Sequence, residues 1–93
     1  MNQLTPEEIE ILKEIATRGN LEFYIISTDQ TGEWVRIGGK DYAAKEFNGV
    51  LETRADQIKF LDTVRSLIRR GYLEHVRGVL YRITGKGLRA IGM

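Results

Sequence analysis

The chain has no cysteine in its 93 residues. Disulfides and thiolate chemistry are therefore excluded. It has one histidine, His75, too few for a histidine-rich metal site. The acidic residues are not spaced as a carboxylate metal site requires, so neither metal nor cofactor is expected. No apolar run approaches the ~20 residues that cross a bilayer, which argues against a membrane partner. The N-terminus lacks a signal-peptide pattern, so a cytoplasmic location is expected. Repeats and low-complexity stretches are absent. The length suits a single domain, 1–93, with one modest core.

The net charge of +1 conceals an uneven distribution. Residues 1–52 carry 5 basic and 10 acidic side chains, whereas residues 53–93 carry 9 basic and 3 acidic ones. The halves therefore differ from −5 to +6. A basic half of this kind can meet phosphates, or the acidic half of another copy.

The single proline, Pro6, marks the clearest helix start. Thr5 is placed as the N-cap, Pro6 at the first helical position, and Glu8 three residues on completes a capping box. Leu4 and Ile9 suit a hydrophobic staple. Ile9, Leu12, Ile15 and Ala16 continue one apolar face until Gly19. Capping accounts for Glu7 and Glu8 without a catalytic role. Next, Leu21–Ser27 is rich in β-branched and aromatic residues, and Glu33–Ile37 alternates, with Trp34 opposite in face to Val35 and Ile37. Thr28–Gly32 is a turn cluster, so 21–39 reads as a β-hairpin or β-meander. Over 40–52, Asp41 can cap a short helix, Tyr42–Phe47, stopped at Asn48-Gly49; the other reading is an irregular loop pinned by Tyr42 and Phe47.

The stretch from Thr53 to Ile83 organises the rest. Ile58, Leu61, Val64 and Ile68 share one helical face, widened by Phe60 and Leu67. Arg54, Lys59, Asp62, Thr63, Arg65, Ser66, Arg69 and Arg70 lie opposite. Gly71 is a glycine stop behind two arginines. The runs Tyr72–Val76 and Val79–Ile83 flank Arg77-Gly78 as a tight hairpin. Thr84 then caps a short terminal helix, with Leu88 and Ile91 turned to the core.

These last elements resemble the ending of bacterial winged-helix regulators, in which a recognition helix runs through Gly-Leu-Ile into a wing and closes on Tyr-x-Leu-Thr-x-x-Gly. The residues that carry the resemblance are Leu67, Gly71-Tyr72-Leu73 and Tyr81-Arg82-Ile83-Thr84-Gly85-Lys86-Gly87. It covers Thr53 to about Ile91. The implied fold is α+β, a winged-helix-like domain with an extra β-hairpin after the first helix. The implied function is binding of double-stranded DNA by a small transcription regulator or its DNA-binding part. Arg54, Lys59, Thr63, Ser66 and Arg69 would make contact from the helix and Arg77 from the wing.

A second reading is a protein-interaction module in which the 21–39 hairpin, through Tyr24 and Trp34, binds another copy or a protein partner. An enzyme is not expected. Gly85-Lys86-Gly87 lacks the spacing of a phosphate loop. His75 has no nucleophile with an elbow motif to serve. The aromatics Phe23, Tyr24, Trp34, Tyr42 and Phe47 lie in the acidic half, which does not suit single-strand stacking.

Overall fold

The computed structural model describes residues 4–28, 32–42, 46–47, 50–51 and 54–93. Helix α1 spans Pro6–Thr17 and begins as its capping residues dictate. The Thr5 hydroxyl accepts from the Glu8 amide at 3.1 Å, and the Glu8 carboxylate accepts from the Thr5 amide at 2.8 Å. Two donors that the helix cannot satisfy internally are thereby paired. Ile11, Leu12, Ile15 and Ala16 form its buried face. At the other end the chain reverses sharply: Asn20 and Leu21 take positive φ of 54° and 76°, and the Leu21 amide returns to the Ile15 carbonyl at 2.8 Å. Gly19 is required there, because a Cβ would lie 2.3 Å from the Glu22 carbonyl oxygen.

Strands β1 (Glu22–Thr28), β2 (Gly32–Ile37) and β3 (Lys40–Tyr42) follow as an antiparallel meander. Strands β6 (Leu73–Arg77) and β7 (Leu80–Ile83) join it through β1–β7 pairing. The five-stranded order is β3-β2-β1-β7-β6, and β4 (Glu46–Phe47) pairs separately with β5 (Val50–Leu51). The fold is thus α+β.

The expected second helix is corrected here. Residues 40–42, 46–47 and 50–51 are strand; 43–45, 48–49 and 52–53 lie outside the described residues. The physical reason is long-range. Tyr42 pairs with Val35, stacks on Phe60 at 5.2 Å and donates to Glu14 at 2.8 Å. These contacts outweigh the modest helix propensity of a short alanine-containing run.

Helix α2 spans Arg54–Arg69 and helix α3 spans Gly85–Ala90. One core holds the pieces together. Phe23, Ile25, Val35, Ile37, Leu73 and Ile83 on one face of the sheet pack with the α1 residues and with Val64 and Leu67 of α2, while Leu88 and Ile91 close it from α3. At about 1.5–3 kcal/mol for each large apolar side chain buried, this cluster is the main source of stability. The end of α2 is tied to α3. Gly71 turns with φ of 86°, the Thr84 hydroxyl donates to its carbonyl at 2.6 Å, and Lys86 Nζ donates to the Arg70 carbonyl at 2.7 Å. Gly87 lies so close to Tyr72 that a Cβ would stand 2.4 Å from the Tyr72 carbonyl oxygen.

Candidate nucleic-acid interface

Helix α2 turns Phe60, Val64 and Leu67 inward. At about 100° per residue, Lys59, Asp62, Ser66 and Arg69 then form one outward row. Lys59, Asp62 and Arg69 are exposed and Ser66 is half-buried. The row is about 15 Å long, which suits a major groove about 12 Å wide. Thr63 stands beside it and its hydroxyl donates to the Lys59 carbonyl at 2.8 Å, within the helix. The side chain of Arg54 lies outside the described residues.

Two other cations, Arg65 in α2 and Arg70 just past its end, are committed to acids of the N-terminal half. Arg65 pairs with Glu33 of β2, and Arg70 with Glu8 of α1. Lys59 reaches Glu7 at 3.4 Å, but both side chains are about two-thirds exposed (66% and 65%), so that pair is weak and exchangeable with a phosphate. Arg69 has no ion pair among the described residues. Among the described residues, three of the nine basic side chains of residues 53–93 thus meet acids of the N-terminal half, at the α1–α2 and β2–α2 contacts. Sequence reasoning did not anticipate these particular partners. The available signal was the crowding of Glu7 and Glu8 in one helix start against the basic face of another.

The other singled-out residues are not brought to this row. Register puts Arg77 opposite Leu80, on the sheet face turned away from the helices. Arg77 is exposed. Trp34 and Tyr24 share that outer face. Trp34 is only 6% exposed, and its indole N–H donates to Asp41 at 3.2 Å, so it offers little surface to a partner. Tyr24 is 40% exposed.

Two carboxylates are tuned by their partners. Burial pushes Glu8 up, but hydrogen bonds from the Thr5 amide and from Arg70 outweigh it and hold the carboxyl below its ordinary value. The Tyr42 hydroxyl lowers Glu14, assisted by Arg18. Burial, with Glu14 beside it, pushes the Tyr42 phenol up to about 12. At Arg36, the hydrogen bond to Asp41 raises the guanidinium further. These are structural pairs; none provides a group poised to exchange protons near neutrality.

Among the described residues no three histidine, aspartate or glutamate side chains are grouped as a metal site needs. No described helix is long and apolar enough to cross a membrane. Compared with protein-family models, with curated proteins and with solved structures, the chain matches none.

Proposed function

We propose that the chain is a winged-helix-type module that binds duplex DNA through α2, as a small transcription regulator or the DNA-binding part of one. The observation that carries this reading is the outward row of α2. Lys59 and Arg69 stand at its ends, with the Ser66 hydroxyl between them, and no described element covers it. Cations position a protein on the phosphates, and a hydroxyl can meet either a phosphate or a base edge. The order β1-β7-β6, with α2 entering that hairpin through Gly71, supports the same reading. Asp62 within the row opposes phosphate, and the pairing of Arg65 and Arg70 reduces the cations on offer. Binding is accordingly weak and rests on about two to three phosphate contacts.

Amide chemical-shift mapping with an unlabelled mixed-sequence duplex tests the surface. Shifts concentrated on residues 59–69 support the reading. Shifts confined to β1 and β7, or none at low salt, contradict it. A protein-interaction role for the 21–39 hairpin is a second reading, favoured by the exposure of Tyr24.

A further inference from the structure

Cations gather where α2 ends and α3 begins. Arg69 closes α2 and Arg70 follows it, while Lys86 and Arg89 stand three residues apart on α3, a spacing that shares one helical face. Lys86 and Arg89 are exposed and, like Arg69, have no ion pair among the described residues. Glu8 approaches this end of α2, but its two oxygens accept from the Thr5 amide and from Arg70. These four cations therefore keep an excess of positive charge beside the outward row of α2.

Lys86 differs from an ordinary surface lysine in that its ammonium is held in place. Nζ donates to the Arg70 carbonyl at 2.7 Å and lies 4.5 Å from the centre of the Tyr72 ring. The backbone beneath it is tied down too. The Thr84 hydroxyl donates to the Gly71 carbonyl, and Gly87 packs against Tyr72 without room for a Cβ. An ammonium has three donors, and among the described residues Lys86 spends one of them in a hydrogen bond.

Its place relative to α2 follows from the Arg70 carbonyl. The Arg70 amide still returns to the Ser66 carbonyl at 3.0 Å, so Arg70 continues the helical path. Eleven residues, about three turns, separate it from Lys59, and the two share a line along the helix. One peptide unit separates the Arg70 carbonyl from the Arg69 Cα, which sets Lys86 Nζ within about 9 Å of that atom. Lys86 thus lies past the C-terminal end of the line that Lys59 begins.

We infer that Lys86 is a third phosphate contact of the duplex-binding surface, a role that rests on DNA binding through α2. Lys59 and Arg69 meet the backbone along the groove, and Lys86 meets a phosphate beyond the end of the helix. The contact is a point charge with donors to spare, the form in which lysine binds phosphate. Because the ammonium is already ordered, little side-chain freedom is lost there on binding. Arg89 adds to the field without a fixed position. The resemblance assigned contacts to the helix and the wing alone; this one comes from α3.

Anisotropy titrations of the full chain with a mixed-sequence duplex, over a series of salt concentrations, test it. Three contacts predict a slope near −2.7 for the natural sequence, and Lys86→Gln should flatten it by about one and weaken binding roughly tenfold at 50 mM salt. Lys86→Arg should restore both. Loss of the tie to the Arg70 carbonyl alone would lower the thermal midpoint and leave the slope as it was. Arg77→Gln removes the same charge from the other side of the sheet and should leave the slope unchanged. A slope that Lys86→Gln does not alter, where Lys59→Ala/Arg69→Ala flattens it, overturns this contact and leaves the role of α2 standing. Equal flattening by Arg77→Gln and Lys86→Gln also overturns it, since net charge would then suffice. No binding at low salt overturns both.

Discussion

One carboxylate, that of Glu8, joins the two long helices. Its Oε1 accepts the Thr5 amide that starts α1, and its Oε2 accepts from Arg70, one residue past the end of α2. Helix capping and helix–helix docking therefore depend on the same ionised group.

An acid dependence follows with a definite sign. The folded carboxyl of Glu8 lies below its ordinary value of 4.5, so its stabilisation is present above that pH. It is lost as pH falls through the lower, folded value. Denaturant midpoints measured from pH 7 downward should fall steeply below about pH 4.5 for the natural sequence, and less steeply for Glu8→Gln. Arg70→Ala should lower stability at pH 7 by about 1–2 kcal/mol, as expected for a lost charged hydrogen bond. An unchanged acid profile in Glu8→Gln would contradict this role.

The opposite end of the pH scale is sensitive through Tyr42. Its phenol titrates near 10.0 when unfolded and at about 12 when folded. The stability that it contributes is complete below pH 10 and lost as pH rises from 10 towards 12. Tyr42→Phe, which removes the bond to Glu14, should cost about 1 kcal/mol at pH 8. The gap between the two proteins should narrow above pH 10. A constant gap across that window would exclude this origin.

Gly38 and Gly39 form one turn, yet they should respond differently to alanine. Gly38 has φ of 56°, and a Cβ would stand 2.4 Å from both the Arg18 carbonyl oxygen and Arg18 Cγ. Gly39 has φ of 83° with nothing within 4 Å. Gly39→Ala should therefore cost only the backbone strain, about 1–2 kcal/mol. Gly38→Ala should cost more, because the end of α1 must also move. Thermal melts of the two variants decide this, and equal losses would mean that the close approach of α1 to the turn is not maintained.

Much of the fold was legible where local chemistry decides it. The Thr5–Pro6–Glu8 signature gave the start of α1, and Gly71 and Thr84 marked the turns on either side of the β6–β7 hairpin. The alternation of Trp34, Val35 and Ile37 gave the two faces of β2. Residues 40–42 were not legible as a strand, because pairing with Val35 and stacking on Phe60 join positions far apart in sequence. The basic face of α2 was legible as a face. Its commitment to Glu8 and Glu33 was not, because no local pattern indicates which helix or strand lies alongside. Arg77 read as a wing charge beside the helix, yet strand register turns it to the other side of the sheet.

DNA binding through α2 is tested most directly by fluorescence-anisotropy titration of a labelled mixed-sequence duplex at two salt concentrations. The proposal predicts a dissociation constant of about 10⁻⁴–10⁻⁶ M that weakens with salt by a slope of roughly −2 to −3, reflecting two or three phosphate contacts. The double variant Lys59→Ala/Arg69→Ala should weaken binding and flatten that slope by about two. An absence of binding at low salt, or binding that the double variant leaves unchanged, would contradict it.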